Sequence, residues 1–172
     1  TRQAEAQALL QQLAAASPAS LMEMIEGLAR IESRMESRSK GGTNKALAEL
    51  SLQAIRTLEA HRSSLSAAQQ LRLDTIAASA LATTGQRAEA VSKYAKLAQA
   101  NPNDGAIQEG YAGLLLEGED RASWQAALDQ WRRVSSKSRP QTERWFRAKY
   151  SVALAQYRLG QKEQAAQLIR FL

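Results

Sequence analysis

The sequence predicts an all-α protein, and three observations support that fold class. Apolar residues recur at three- and four-residue spacing along almost all of the 172 residues, as on one face of a helix. The chain holds only 9 Gly and 3 Pro, whereas Ala, Leu, Gln and Arg, which favour helices, are abundant. No segment alternates strictly between apolar and polar residues with the β-branched enrichment typical of strands, so no strand is predicted.

Breaks between the apolar stripes give the helices in order. Ser17-Pro18 ends a first short helix, and a long hairpin follows over residues 19–70. Gly85 and Gly160 lie where helices end, which is a common place for a residue with positive φ. Asp104 follows a short loop and is placed to cap the next helix. The stripes and breaks together predict about nine helices.

A repeated spacing links four parts of the chain. Ala90 is followed by Tyr94, Leu97 and Pro102, at offsets of four, seven and twelve residues. The other instances are Ala6 with Leu10, Leu13 and Pro18; Ala127 with Trp131, Val134 and, one residue late, Pro140; and Ala165 with Ile169 and Leu172. The small Ala lets two helices approach closely, the next two residues fill the groove between them, and Pro ends the second helix. Each instance therefore predicts a helix hairpin.

The hairpin pattern resembles the tetratricopeptide repeat (TPR) family, most clearly over Leu71–Asp104, whose 34 residues equal the family's period. The residues at the family's signature phases are Ala77, Ala78, Leu81, Gly85, Ala90, Tyr94 and Pro102. Asp74 stands where the family has an aromatic residue. The resemblance implies a right-handed α-solenoid of antiparallel helix hairpins with a long concave surface.

The resemblance implies one TPR-like domain over residues 1–172. Its segments are 1–18, the end of a repeat; 19–70, a divergent long hairpin; 71–104, a repeat; 105–140, a repeat with an insertion; and 141–172, a truncated repeat. The chain starts within a second helix and closes on the apolar pair Phe171 and Leu172, whereas solenoid ends normally carry polar caps. We therefore expect a piece of a longer protein.

Composition excludes several kinds of catalytic site. With no Cys and one His, the chain has no thiolate zinc site, no cysteine nucleophile and no multi-histidine metal site. His61 lacks a partner signature and is explained by its place near a helix C-terminus. No phosphate-binding loop or dinucleotide fingerprint occurs. We expect no enzymatic activity, no catalytic residue, no cofactor and no metal, and no apolar run is long enough to span a membrane.

Basic residues exceed acidic ones by 23 to 17, which gives a net charge of +6. A basic patch crowds one connector and its flanks: Arg132, Arg133, Lys137, Arg139, Arg144 and Lys149. Trp131, Trp145, Phe146 and Tyr150 are interleaved with it. Arginine and aromatic side chains together can bind single-stranded nucleic acid through phosphate contacts and stacking. The competing interpretation is that the tryptophans face the core and the basic residues keep the surface soluble.

The resemblance also implies which residues face the concave groove. In the last repeat they are Arg147, Tyr150, Leu154 and Tyr157; in the clearest repeat they are Arg72, Thr75, Ser79 and Ala82. Family members commonly hold an extended or helical peptide there, and a positive, partly aromatic groove suits an acidic segment with a hydrophobic anchor. Thr75 and Ser79 replace the Lys and Asn of the chaperone-binding carboxylate clamp, which argues against that subtype. The competing interpretation of the two tyrosines is hairpin packing.

The sequence therefore predicts a non-catalytic protein–protein interaction module or scaffold that binds a peptide or protein segment, with an acidic partner favoured. The alternative is a basic helical-repeat domain that binds single-stranded nucleic acid, which would show a steep salt dependence. An enzyme built on helical hairpins is a third hypothesis, but it lacks a residue constellation. The sequence does not predict the partner's identity, the compartment or the oligomeric state.

Overall fold

The computed structural model describes residues 17–36 and 42–172. Eight α-helices occupy them: α1 (Pro18–Glu36), α2 (Gly42–Glu59), α3 (Ala67–Thr83), α4 (Arg87–Ala100), α5 (Gly105–Leu116), α6 (Arg121–Lys137), α7 (Glu143–Arg158) and α8 (Lys162–Phe171). A 3₁₀ turn, Arg62–Ser64, joins α2 to α3. Residues 17–36 and 42–172 contain no β-strand. The all-α prediction is confirmed. The first predicted helix lies outside the described residues.

The chain forms two compact units, and the division falls within α4. The first unit reaches Lys93 and the second begins at Tyr94. In the first unit α1 contacts α2 and α3, and α2 contacts α3. Its core consists of Leu21, Met22, Ile25, Ala54, Ile55, Leu58, Leu65, Leu73 and Ala77. Leu65 lies in the connection between α2 and α3, and the others recur at helical spacing on the three helices, so one apolar stripe from each helix closes the core.

In the second unit each helix packs on the next one along the chain, from α5 to α8. Small residues lie where the helices approach: Ala112, Ala127, Ala148 and Ala155 are each fully buried. Ile107, Leu128, Trp131 and Val134 supply the larger buried side chains between α5, α6 and α7. The predicted hairpins at Ala127 and Ala165 are therefore present as α6 against its neighbours and α8 against α7.

Turns and caps lie at the ends of the helices, and those at Gly85, Gly160 and Asp104 agree with the sequence prediction. Gly85 and Gly160 have φ of 86° and 85°, in the left-handed region that a side chain disfavours. The Asp104 carboxylate accepts from the amides of Ala106 and Ile107 at 3.0 and 3.1 Å and so caps α5. Asp120 caps α6 by accepting from the amide of Ser123 at 2.8 Å. The Ser123 hydroxyl also donates to this carboxylate, at 2.6 Å, and the hydroxyl and amide hydrogen bonds lower the pKa of the Asp120 carboxyl because they favour its charged form.

Candidate functional site

The exposed stripe of α7 carries the predicted groove residues of the last repeat. Tyr150 and Tyr157 are each 58% exposed, and Leu154 between them is half-buried. Arg147 lies one turn before Tyr150 on the same face, because residues three and four apart share a helix face. The hairpin-packing interpretation of the two tyrosines is therefore incomplete, since more than half of each side chain remains in water.

A groove of about 450 Å³ runs between this stripe and α8. Its lining residues are Tyr150, Ala153, Leu154, Tyr157, Lys162, Ala165, Ala166, Ile169 and Arg170. The walls are apolar, and Lys162 and Arg170 are its only charged lining residues. The Lys162 ammonium lies 6.0 Å from the centre of the Tyr157 ring, which is a cation–π distance. The groove thus joins apolar surface to positive charge.

Helix α6 is the second helix of the preceding hairpin, and it shows what covers the face that corresponds to the groove face of α8. Ala127, Leu128 and Trp131 of α6 hold the repeat phases of Ala165, Ala166 and Ile169 of α8. Leu128 is 1% and Trp131 4% exposed, and α6 packs on α7. Ile169, by contrast, is 47% exposed and Ala166 is exposed. A neighbouring helix therefore covers this face of α6, whereas the equivalent face of α8 is exposed in the part of the chain that the structure describes.

Ion pairs hold the start of α7 against α5. The Arg144 Nε lies 2.8 Å from Glu109 Oε1, and the Arg147 Nη1 lies 3.5 Å from Glu109 Oε2. Arg147 also pairs within its own helix with Glu143. The charge of Arg147 is thus partly balanced, whereas no acidic residue lines the groove beside Lys162 and Arg170. The excess positive charge of this face lies at the α8 side.

The predicted residues of the clearest repeat lie on α3, in the first unit. Arg72 is exposed, and its Nη1 lies 3.0 Å from Glu26 Oε1 of α1. The Thr75 hydroxyl donates a hydrogen bond to the Leu71 carbonyl at 2.8 Å, so its proton is used within its own helix. Ser79 is half-buried. Arg72, Thr75 and Ser79 thus lie on one face of α3. Arg72 is the only charged residue of the three, and it is already paired with Glu26.

The basic patch predicted from the sequence is divided by the hairpin of α6 and α7. Arg133, Lys137 and Arg144 line one pocket, Arg132 and Lys149 line another, and Arg139 lines neither. Trp131 is buried. Trp145 is half-buried, stands edge-on to Phe146 with ring centres 5.0 Å apart, and has the Lys149 ammonium 5.4 Å from its ring centre. The patch is thus divided between two pockets, and of the two tryptophans predicted beside it only Trp145 is partly exposed.

Comparison with known proteins identifies the fold. No protein-family model and no curated protein sequence matches the chain. Two solved structures are similar over almost its whole length: a crystal structure of a candidate kinesin light chain from Podosopora anserina with nearly identical TPR-like repeats, and that of a point variant of the same protein. Each alignment covers 98% of this chain and 92% of the other, with a TM-score of 0.59 and identities of 15% and 16%.

The fold is TPR-like. At 15% and 16% identity the similarity shows the fold alone. The candidate sites are therefore inferred from the residues of this chain and not from the similar structures. Within the described residues no group of three or more His, Asp or Glu side chains is placed to hold a metal ion. No helix in the same ranges has the length and apolar character needed to cross a membrane.

The repeat over residues 71–104 differs from the TPR sequence pattern at Asp74, and the structure shows what this side chain contacts. The Arg62 Nη2 lies 2.5 Å from Asp74 Oδ2, and the Lys93 ammonium lies 3.3 Å from Asp74 Oδ1. Burial alone would raise the pKa of the Asp74 carboxyl, but the hydrogen bonds and charges of Arg62 and Lys93 outweigh it and lower that pKa. The same pair raises the pKa of Arg62. An ion-paired cluster thus surrounds the position at which the TPR sequence pattern has an aromatic residue.

Sequence reasoning missed the α8 wall of the groove. The repeat spacing predicts that Ile169 is a packing residue, and single surface cations such as Lys162 and Arg170 are too common to indicate a site. A signal was present, since Lys162, Ala165, Ala166 and Ile169 follow the three- and four-residue spacing of one helix face. The sequence does not show which helix faces are covered by packing; within the described residues Ile169 is exposed, whereas Trp131 at the same phase of α6 is buried.

Proposed function

We propose that this chain is a non-catalytic protein-interaction module that binds a segment of another protein in the groove between α7 and α8. The observation that carries the proposal is the open apolar groove itself, with its two exposed tyrosines and Ile169. Exposed contiguous apolar surface on a folded protein marks an interaction site more often than a chance feature. Tyrosine adds a large contact area at low entropic cost, and its hydroxyl stays in water.

The charges of the groove indicate the partner's chemistry. Lys162 and Arg170 line it and no acid does, so a bound segment gains from an acidic residue next to its apolar anchor. The buried equivalent on α6 is covered by an α-helix, which makes a helical segment with an apolar stripe the best-fitting shape. The partner we propose is therefore an amphipathic, acidic protein segment.

The proposal is tested by capturing partners from a lysate of the source organism on the immobilised protein. Tyr157→Ala removes an aromatic wall, and Lys162→Glu reverses a charge that lines the groove. We expect both variants to lose most of a specific protein retained by the unaltered chain at physiological salt. Phe171→Ala and Arg56→Glu are the matched controls, since both residues are exposed and neither lines the groove.

Circular dichroism and thermal unfolding show that each variant is folded. If Tyr157→Ala and Lys162→Glu capture the same protein as strongly as the two controls do, the groove is not the binding surface and the proposal is wrong.

The alternative function, binding of single-stranded nucleic acid through the basic patch, is tested in the same experiment. Phosphate contacts make affinity fall steeply between low and physiological salt, and nuclease removes the ligand. Retained protein that resists both treatments supports the groove. Capture that vanishes with nuclease supports the basic patch, in which case Arg132→Gln and Lys149→Gln should weaken it.

A further inference from the structure

A second pocket of about 380 Å³ lies in the second unit, away from the groove of α7 and α8. The end of α4, the loop to α5, the end of α6 and the start of α7 all contribute to it. Its lining residues are Ala98, Gln99, Pro102, Asn103, Gly105, Gln108, Arg133, Val134, Lys137, Ser138 and Arg144. Three of these are cations and none is an acid, so the pocket is positive.

The cations retain donors that no protein group uses. The Lys137 ammonium donates to the Pro102 carbonyl at 2.9 Å and to Asn103 Oδ1 at 3.1 Å, which leaves one of its three N–H groups. Arg144 spends its Nε on Glu109, which leaves its two terminal nitrogens. The Arg133 side chain has no ion pair or hydrogen bond to any described residue. Both acceptors of Lys137, the Pro102 carbonyl and Asn103 Oδ1, are neutral, and no described acidic residue forms an ion pair with Lys137.

The position of the Arg144 guanidinium depends on a glycine. A Cβ at Gly105 would stand 2.7 Å from Arg144 Nη1, so the absence of a side chain leaves room for the guanidinium beside the first turn of α5. Asp104 and Glu109, which adjoin lining residues in the sequence, are engaged elsewhere. Glu109 pairs with Arg144 and Arg147 from outside the pocket, and Asp104 turns its carboxylate to the amides of α5. Neither acid lines the pocket.

We propose that this pocket binds a phosphate monoester, such as the phosphoryl group of a phosphorylated serine side chain. Three separate cationic groups with free donors suit the three terminal oxygens of a phosphate better than the two oxygens of a carboxylate. Ala98, Pro102 and Val134 offer an apolar wall for the carbon atoms that carry the phosphate. The site is independent of the groove, so either assignment stands if the other fails.

The test is a titration of ¹⁵N-labelled protein with O-phospho-L-serine, followed by the amide signals of Asn103, Gly105 and Ser138. We expect saturable shifts at these positions, and none with L-serine. Arg133→Gln and Lys137→Gln should each weaken binding roughly tenfold, because each removes a charge-assisted hydrogen bond. Arg139→Gln is the matched control: it removes the same charge from the same connector but does not line the pocket, so binding should change less than about twofold.

Each remaining outcome overturns the proposal. Equal weakening by Arg139→Gln and Arg133→Gln would mean general attraction to a basic surface. Equal affinity for acetate would mean a site without phosphate selectivity. Stronger binding of an oligonucleotide without a terminal phosphate would assign these cations to phosphodiesters. Absence of shifts in the folded, unaltered protein, as judged by its spectrum, would mean that the pocket takes no anion.

Discussion

Tyr94 of α4 lies against the backbone of Gly110 of α5, in the second unit. A Cβ added at Gly110 would stand 2.9 Å from both the Cε1 and the hydroxyl oxygen of Tyr94. The Tyr94 side chain is 7% exposed, so its ring has little room to move away. Tyr94 holds the same position in the repeat as Trp131 and Ile169. At this position the large ring of Tyr94 packs against Gly110, which has no side chain. A close approach of two helices explains this glycine within α5.

Gly110→Ala should therefore destabilise the protein by about 1–3 kcal/mol, because the added methyl forces a packed ring to shift. Gly113→Ala in the same helix is the control, since nothing lies within 4 Å of a Cβ at that position. That substitution should stabilise the protein by about 0.5–1 kcal/mol through helix propensity alone. Urea unfolding of the two variants measures both effects. Equal free energies of unfolding would contradict the proposed contact.

Glycines at helix ends give a second prediction, which rests on backbone conformation rather than on packing. Gly85 and Gly160 have open space around a Cβ, yet their φ values of 86° and 85° are disfavoured for other residues. Each change to Ala should cost about 1–2 kcal/mol. Gly27→Ala, which also meets open space but lies within α1, should not destabilise. Thermal unfolding separates the two cases, and a loss at Gly27 as large as at Gly160 would rule out the conformational explanation.

The helices and their ends were predictable because their causes are local. Apolar spacing, a glycine with positive φ and a capping aspartate each act within a few residues, as at Gly160 and Asp104. The repeat spacing also predicted the small residues at helix contacts, such as Ala127. Gly110 was not predicted, because its partner Tyr94 lies on another helix and only the packed structure brings the two together.

The ion-paired cluster around Asp74 gives a prediction about pH. Since Arg62 and Lys93 hold the pKa of this carboxyl below its ordinary value of 3.8, the cluster stabilises the folded state above that value. The stabilisation is lost as the pH falls through the lowered pKa of the folded state. Asp74→Asn should cost about 1–3 kcal/mol near pH 7, and the gap to the unaltered protein should narrow towards about pH 3.

Urea unfolding at several pH values measures that gap. Glu49→Gln is a control, because this exposed side chain in the interior of α2 has no ion pair with any described residue. A gap for Asp74→Asn that stays constant down to acid pH would show that lost packing, rather than lost charge, accounts for the effect.

The candidate groove was only half predictable, for a physical reason. The stripe of Arg147, Tyr150, Leu154 and Tyr157 follows from the period of one helix. Its second wall, with Ile169, depends on which face of α8 remains uncovered, and coverage is a property of the packed chain. The division of the basic patch between two pockets arises in the same way, since residues adjacent in sequence diverge around a helix.

A buried hydrogen bond between α1 and α2 gives the last prediction. The fully buried Ser51 hydroxyl donates to Glu32 Oε1 at 2.9 Å, and Glu32 is itself buried. Ser51→Ala leaves the carboxylate buried with one donor fewer, so we expect a loss of about 1–3 kcal/mol. Ser92→Ala on the exposed face of α4 removes a hydroxyl from water instead and should change stability by less than about 0.5 kcal/mol. Equal midpoints of urea unfolding for the two variants would show that the Ser51 hydrogen bond contributes no net stability, and that the carboxylate is satisfied by its other neighbours.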